Sequence, residues 1–239
     1  MKYNNQDIIG EVVAHDYRTA SVFKNAGIDF CCQGNRTIQE ACTKKKVLVS
    51  DVLEALEDVL TSTSTQTDFN NWPLDLMVDY IEKKHHRYVE EKSQEIKPYL
   101  DKICKVHGNA HQELFEIQKA FNESVGELAM HMKREELVLF PYIRKLANAK
   151  SNNETLTRPP FGTVNNPIEK MMDEHSTEGE RFREISELSN NYNPPSDACN
   201  TYKVTFALLK EFEEDLHLHI HLENNILFPK AINLEKELL

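Results

Sequence analysis

An internal repeat constrains the fold of this chain more than any other feature. Residues 131–141 read HMKREELVLFP and residues 219–229 read HIHLENNILFP. A histidine, a glutamate four positions later and a closing Phe-Pro recur at identical offsets, which indicates a repeated structural unit. The matching pairs are His131 and His219, Glu135 and Glu223, Phe140 and Phe228, and Pro141 and Pro229.

Each copy of the motif is preceded by a histidine at nearly the same distance. His86 lies 45 residues before His131, and His175 lies 44 residues before His219. The second half of the chain therefore reads as two copies of a helical hairpin, each with a histidine on its first helix and His-x-x-x-Glu on its second. Two such hairpins with short connections predict an antiparallel four-helix bundle.

Apolar residues at helical spacing define the four helices of this bundle, and loops rich in Pro, Asn and Gly separate them. The predicted helices cover about 73–106, 110–147, 167–189 and 201–227. The residues expected to face inward are Leu114, Ile117, Phe121, Leu128 and Val138 in the second helix and Leu208 and Phe212 in the fourth.

The segment before the bundle is predicted to be a small helical domain of its own. Residues 1–60 contain short amphipathic stretches, which predict three or four helices. Residues 61–71, TSTSTQTDFNN, lack apolar periodicity and read as a linker. The whole chain is thus predicted to be all-α, with the bundle over residues 72–239.

The composition is that of a globular protein with an acidic surface. The 239 residues carry a formal net charge of −11, so binding to nucleic acid or to an anionic membrane is not expected. The sequence has no run of about 18 apolar residues, so a membrane span is not predicted. It has no basic and apolar leader at its start, so export is not predicted. The five cysteines are an odd number, which argues against a disulfide framework and favours the reducing cytoplasm.

The repeated His-x-x-x-Glu motif predicts a metal site in the bundle core. Residues four apart share a helix face, and both pairs continue the apolar stripe of their helix. Buried glutamates are unfavourable unless they are paired or bound to a cation. Imidazole and carboxylate without thiolate suit iron or manganese better than zinc. The alternative is a metal-free helical protein with hydrogen-bonded core histidines and glutamates on helix surfaces.

Further stretches of the sequence resemble a known family. The segments PLDLMVDYIEKKHH and NPIEKMMDEHS, together with both copies of the repeat, are similar to hemerythrin-like di-iron domains. The segment IGEVVAHDYRTASVFKNAGIDFCCQGNRTIQEAC, with its adjacent cysteines, is similar to the first domain of the iron–sulfur cluster repair proteins, also called repair of iron centres. Both parts occur in that family's order and cover nearly the whole chain.

The resemblance implies a non-haem centre of two iron ions with an oxo or hydroxo bridge. The implied ligands are the bridging carboxylates Glu135 and Glu223 and the terminal imidazoles His86, His131, His175 and His219. The implied function is repair of iron–sulfur clusters damaged by nitric oxide or peroxide, through supply of iron, with nitric oxide reduction as a further activity. The implied partners are damaged iron–sulfur proteins or the cluster assembly machinery, with nitric oxide as a ligand; a homodimer is left open.

A hemerythrin-like protein that binds or senses oxygen or nitric oxide is the alternative function. By resemblance, an oxygen carrier has five histidines on its irons, whereas the set here has four. A carrier also has no use for the N-terminal cysteine pair.

Neighbouring histidines leave two ligand positions open on periodicity alone. His85 and His86 are about 100° apart on a helix, so only one is expected to face the site. The apolar stripe before this pair favours His85 and the stripe after it favours His86, while the family spacing implies His86. His217 and His221 flank His219, which the glutamate four residues later selects.

Two further glutamates are candidates for supporting the centre. Glu127 lies one turn before His131, and Glu174 directly precedes His175. Each is either a hydrogen-bond acceptor or proton route for the centre, or an ordinary solvated carboxylate.

The adjacent cysteines Cys31 and Cys32 are the remaining candidates for chemistry. They are predicted at or near a helix start, where a thiolate is stabilised. Their role is then redox chemistry, transient iron transfer or nitrosylation; otherwise they are two partly buried small residues. Gln33 follows them where the family more often has glycine. The residues expected to have packing, solvated or hydrogen-bonded roles are Cys42, Cys104, Cys199, His107 and His111.

Overall fold

The structure, a computed structural model, describes residues 3–61 and 67–239 and is helical over most of both ranges. Its N-terminal helices are α1 (Ile9–His15), α2 (Ala20–Asn25), α3 (Ile38–Lys45) and α4 (Val49–Thr61). Residues 62–66 of the predicted linker lie outside the described residues, and Phe69–Asn71 form a 3-10 turn. None of the described helices combines the length and the apolar character needed to cross a membrane.

The start and end of α3 follow from its local sequence. The Thr37 hydroxyl accepts a hydrogen bond from the Glu40 backbone N–H (3.1 Å), and the Glu40 carboxylate accepts one from the Thr37 N–H (2.9 Å). This capping box satisfies two N–H groups that a helix start leaves unpaired. Lys46 ends the helix in the left-handed region, with φ 57°. The loop between α2 and α3 is therefore held firmly at its far end.

Four long helices form the bundle, and three of them contain a π-helical segment. α5 comprises Leu74–Tyr80, the π segment Ile81–His86 and Arg87–His107. α6 comprises Glu113–Arg134, the π segment Glu135–Leu139 and Phe140–Asn152. α7 is continuous over Asn165–Leu188. α8 comprises Asn200–Leu222, the π segment Glu223–Leu227 and Phe228–Leu238.

Consecutive helices of the bundle pack against each other, and α5 also packs against α8, which closes the bundle. The all-α architecture predicted from the sequence is confirmed. The π segments coincide with predicted ligands, since His86 ends one and Glu135 and Glu223 begin the other two. A π turn inserts an extra residue into the helix and re-aims the side chains around it, and such turns are frequent at functional sites.

The π segments overturn two expectations drawn from a constant helical period. Val138, expected in the core, is 45% exposed, whereas Leu139 and Phe140 are buried. The extra residue of the π turn moves the inward face on by one position. The fourth helix does not end near residue 227 but continues past Pro229 to Leu238. Pro229 is tolerated because the preceding π turn already displaces the α-helical hydrogen bond that proline cannot donate.

Two apolar clusters fill the interior, one on each side of the predicted ligands along the bundle helices. The first contains residues such as Ile96 and Phe212, with Leu208 only partly buried at its edge. The second contains residues such as Met77 and Phe228. The predicted ligands thus lie in a polar layer sealed at both ends by apolar side chains.

The N-terminal helices share the first apolar cluster with the bundle. Ile9, Phe23, Ile38 and Leu56, one from each of α1 to α4, are fully buried in that cluster. Burial of each such side chain contributes roughly 1.5–3 kcal/mol. Apolar packing therefore joins the N-terminal part to the bundle, in addition to the chain connection.

Candidate metal centre

Two groups of potential metal ligands meet in the polar layer of the bundle, and both glutamates belong to both groups. Within each group the ligand atoms all lie within 4.8 Å of one another, and every residue is buried. One group is His86, His219, Glu135 and Glu223; the other is His131, His175, Glu135 and Glu223. Shared carboxylates between two sets of imidazoles form an arrangement that suits two cations side by side.

Each carboxylate faces the two imidazoles of its own hairpin. Glu135 Oε2 lies 3.4 Å from His86 Nε2 and 3.3 Å from His131 Nε2. Glu223 Oε1 lies 3.2 Å from His219 Nε2, and its Oε2 lies 3.2 Å from His175 Nε2. Burial alone raises the pKa of Glu223, but the facing imidazoles outweigh burial and lower it well below its usual range.

The closest approach in the centre joins two imidazole nitrogens. His131 Nε2 lies 3.0 Å from His175 Nε2. Their other nitrogens are occupied, because His131 Nδ1 donates to Glu174 (2.8 Å) and His175 Nδ1 donates to Asn224 Oδ1 (2.9 Å). Two lone pairs therefore face each other and require a proton or a cation between them. Burial opposes a proton on His131, yet the neighbouring carboxylates raise the pKa of its imidazole to about 10, led by Glu135.

Buried polar atoms without a hydrogen bond converge on the same place. Both carboxylate oxygens of Glu135, Oε2 of Glu223 and Nε2 of His86 are buried and have no hydrogen-bond partner of suitable geometry among the described residues. Each such group costs about 1–3 kcal/mol, and charged groups cost more. Each of the four atoms can donate a lone pair to a hard or borderline metal cation, so the residues present fit a pair of bound metal ions.

A layer of hydrogen bonds behind the imidazoles aims their Nε2 atoms at the centre. His86 Nδ1 donates to Glu136 (3.0 Å), as His131 Nδ1 does to Glu174. Glu174 also accepts from Arg134 (2.7 Å), and these partners together overcome burial and lower the pKa of Glu174 to about 2. Such partners fix the tautomer of a ligating histidine. Of the two alternatives for Glu174, the structure shows the hydrogen-bond acceptor and not the solvated carboxylate. Glu136 has the same role, and the sequence analysis missed it.

The supporting residues follow the internal repeat but differ between the halves. The residue after the shared glutamate is Glu136 in one half and Asn224 in the other. Both accept from the Nδ1 of the first histidine of their hairpin. The residue before that histidine is Glu174 in the second half and His85 in the first. Alignment of the two repeats was the sequence signal that could have found Glu136 and Asn224.

His85 lies beside the centre as well as His86. It is fully buried, its Nδ1 lies 3.0 Å from Asp215 Oδ2, and its ring stacks on His219 at 5.5 Å. The structure brings His86 into the ligand groups. His85 is not in those groups, although the π segment also buries its ring beside the centre.

Three other candidate residues lie outside the ligand groups. Glu127, expected on the face of His131, has a 60% exposed side chain and pairs with Arg181 (3.2 Å). Four residues amount to about 40° more than a full turn, so Glu127 lies at the helix edge, beside Arg181 of α7. His217 is half-buried and His221 is buried, both against the Phe30 ring, and burial lowers the pKa of both.

The cysteine pair lies in the loop between α2 and α3 and not at a helix start, which corrects the sequence expectation. The hydrogen bond to Cys32 and burial raise the pKa of the Cys31 thiol well above its usual value, so the loop does not stabilise a free thiolate. The loop touches the centre directly. The Cys32 thiol donates to the backbone carbonyl of His175 (3.2 Å), and Asn224 Nδ2 donates to the carbonyl of Cys31 (3.2 Å).

Cys199 does not have the packing role expected from the sequence. It is exposed at the N-cap of α8, and its Sγ lies 3.2 Å from His107 Nε2. The Tyr202 backbone amide and then the His107 imidazole lower the pKa of the thiol to about 7. Cys42 and Cys104 are buried, as predicted.

We expect Cys199 to be the fastest cysteine to react with iodoacetamide near neutral pH. Its rate should rise with pH through a midpoint of about 7 and then level off, because the thiolate is the nucleophile and its pKa is lowered. Peptide mass spectrometry of alkylated protein measures this rate. His107→Ala should move the midpoint upward, with Cys42 as the slow internal reference. A wild-type midpoint near 9 would contradict the expectation.

The fold and the site together are those of a helical bundle built to bind cations, and comparison with known proteins agrees. Residues 77–231 match the hemerythrin HHE cation binding domain, and residues 5–60 match a domain of unknown function, DUF542. The iron-sulfur cluster repair protein ScdA of Staphylococcus haemolyticus is 29% identical over 226 residues, which cover 95% of this chain and 98% of the relative.

Relatives from other bacteria match over the same extent. The iron-sulfur cluster repair proteins YtfE of Musicola paradisiaca and of Yersinia pseudotuberculosis are each 30% identical, covering 98% of this chain and all of the relative. The chain therefore belongs to the hemerythrin HHE family and, within it, to the iron–sulfur cluster repair proteins. The resemblance indicated by the sequence motifs is confirmed.

Proposed function

We propose that this chain holds two iron ions in its bundle and supplies iron for the repair of damaged iron–sulfur clusters. The observation that carries the proposal is the pair of buried ligand groups that share Glu135 and Glu223. The family's name points to the same process, because its curated relatives are named iron-sulfur cluster repair proteins.

The residues have distinct roles in this proposal. The two shared glutamates would hold both ions, and the residues that would each hold one ion are His86, His131, His175 and His219. Bound iron supplies a redox-active centre that also binds small gases such as nitric oxide. Glu136, Glu174 and Asn224 orient the imidazoles by accepting their Nδ1 protons.

The donor set suits an iron donor better than an iron store. Neutral imidazoles and carboxylates hold divalent iron less tightly than thiolate ligands hold a cluster. Loss of an ion also has a local replacement, because protons can occupy the facing imidazoles of His131 and His175. Exchange of protons for iron therefore avoids leaving two bare carboxylates in the core.

Transfer of labelled iron tests the proposal. The chain is loaded with an iron isotope, separated from free iron, and mixed with an enzyme whose iron–sulfur cluster nitric oxide has damaged. We expect activity of that enzyme to return together with labelled iron in its cluster. If activity returns without labelled iron in the cluster, repair does not depend on iron from this chain. If activity does not return although the chain is fully loaded with iron, the proposal is wrong.

Iron binding should also stabilise the fold, because it neutralises the buried carboxylates. At free ferrous iron of about 100 times Kd, each site adds about 2.7 kcal/mol. For a chain of this length each site then raises Tm on the order of 5–10 °C. Anaerobic thermal unfolding with and without iron measures the shift. Glu127→Ala, at an exposed position, is the control and should show the same rise in Tm as the wild type. An unchanged Tm of the wild type in excess iron would contradict the expectation.

Reversible binding of oxygen or nitric oxide is a second candidate, favoured by one observation. His85 is a fifth buried imidazole beside the centre, and its Nε2 has no hydrogen-bond partner among the described residues. The spectrum of the reduced, iron-loaded protein before and after oxygen is added and removed tests this candidate. A fully reversible change supports gas binding, whereas irreversible oxidation argues against it.

A further inference from the structure

The loop that carries the cysteine pair brings three ligand-type atoms together outside the histidine and glutamate centre. One carboxylate oxygen of Asp29 and the sulfurs of Cys31 and Cys32 lie within 4.8 Å of one another. The two Sγ atoms are 3.8 Å apart, and Cys31 Sγ is 3.5 Å from Asp29 Oδ1. All three side chains come from four consecutive residues, so the loop conformation alone sets their arrangement.

We propose that Asp29, Cys31 and Cys32 form a separate binding site for one divalent cation that accepts tetrahedral thiolate coordination, such as zinc or ferrous iron. The distances between the ligand atoms match tetrahedral coordination of such a cation. With metal–sulfur bonds of about 2.3 Å and a metal–oxygen bond of about 2.0 Å, the edges of a tetrahedron are about 3.8 Å between sulfurs and about 3.5 Å between sulfur and oxygen. The separation of the two sulfurs and that of Cys31 Sγ from Asp29 Oδ1 equal these edges, and the third pair lies within 4.8 Å.

Backbone hydrogen bonds hold the carboxylate in its position in the loop. Asp29 Oδ1 accepts from the N–H groups of Cys31 (3.1 Å) and Cys32 (2.9 Å). The other oxygen, Oδ2, has a longer contact of 3.4 Å with Arg183, so both ends of the carboxylate are held and Oδ1 stays 3.5 Å from Cys31 Sγ. Arrangement of the ligands before binding reduces the entropy that metal binding has to overcome.

A glycine on α7 makes room for the second thiol. A Cβ atom at Gly179 would lie 2.9 Å from Cys32 Sγ, which is closer than van der Waals contact allows. The thiol rests there and donates to the carbonyl of His175. The proposed site therefore lies directly against the helix that supplies a ligand of the histidine and glutamate centre.

Charges around the loop balance when a divalent cation is bound. Binding exchanges the two S–H bonds for two metal–sulfur bonds and releases two protons to solvent, with no change in oxidation state. Two thiolates, one carboxylate and a divalent cation leave a charge of −1, which the Arg183 guanidinium beside Asp29 offsets. Without a cation, the same burial disfavours ionisation of Cys31.

The fourth coordination position is open to exchange. Cys31 is 4% exposed, whereas Cys32 and Asp29 are half-buried and border the surface. A water molecule or a ligand from a partner protein can complete the tetrahedron from that side. The site needs only these three side chains, so its existence does not depend on the iron-supply function proposed above.

Titration of the full-length, reduced protein with Co²⁺ tests the site. Thiolate bound to Co²⁺ gives a near-ultraviolet charge-transfer absorption, which the histidine and glutamate centre lacks because it has no sulfur ligand. We expect about one thiolate-bound Co²⁺ per chain. Cys31→Ser and Cys32→Ser should each abolish the absorption, and Cys199→Ser should leave it unchanged.

A conservative variant separates coordination from loop structure. Asp29→Asn keeps an oxygen that accepts the loop's N–H groups but removes the negative charge, so it should weaken Co²⁺ binding by about tenfold or more. A second measurement needs no variant, since Zn²⁺ should slow alkylation of Cys32 but not of Cys199. Absence of the charge-transfer band in the wild type, or its persistence in both serine variants, would overturn the proposal.

Discussion

Alanine in place of Glu135 or Glu223 is expected to remove nearly all iron from the bundle, whereas alanine in place of one histidine removes about one of two ions. The reason is geometric, because each glutamate belongs to both ligand groups and each histidine belongs to one. Iron per chain after anaerobic reconstitution measures the difference. The background carries Cys31→Ser and Cys32→Ser, so that only iron held by the bundle is counted.

A variant at an exposed glutamate is the control for this experiment. Glu127→Ala, which alters an exposed carboxylate paired with Arg181, should keep about two irons. His131→Ala and His219→Ala change different ligand groups, so the iron each retains should differ in its spectrum. Equal loss of one iron from all six alanine variants would show that the glutamates do not bridge.

The ligand residues were readable from sequence because repetition marks function as well as fold. A single His-x-x-x-Glu is common on helices, but its recurrence with Phe-Pro after it and histidine before it is not explained by packing. The structure brings all six of these residues into two overlapping groups. A periodic apolar pattern also suffices to predict the bundle, since each helix buries one face.

The π segments were not predicted, although the first of them left a mark, since the apolar stripe shifts from the face of His85 to the face of His86 where that segment lies. Val138 and Leu139 are both apolar, and only the local backbone decides which of them faces inward. The fourth helix was also predicted too short, and it continues because proline is unfavourable in a regular helix but is tolerated after a π turn.

Contacts between distant parts of the chain were the other unreadable feature. Asn224 connects His175 to the cysteine loop through its two amide atoms, across 49 and 193 residues of sequence. The exposure of Cys199 was hidden because a cysteine is usually buried, whereas this one caps a helix beside His107. Such pairings follow from the tertiary fold and not from local pattern.

Serine at both Cys31 and Cys32 is expected to separate iron binding from repair. The bundle ligands are untouched, so its two irons should stay bound. Repair of a nitric-oxide-damaged cluster enzyme should fall about tenfold or more, because a donor must hand iron or electrons to its partner and these thiols are the redox-active groups beside the centre. Reactivation of such an enzyme at equal iron loading, by wild-type and variant chains, measures the fall.

The full chain is the right material for this experiment, because the N-terminal helices share an apolar cluster with the bundle. Deleting them would uncover His217 and His221, against which Tyr17 and Phe30 pack, and would confuse lost chemistry with lost stability. Cys199→Ser is the matched control, since it removes a reactive thiol at a helix N-cap and leaves the cysteine loop intact. Equal repair by the double variant and the wild type would make the pair dispensable, and its burial against α7 would then be its whole role.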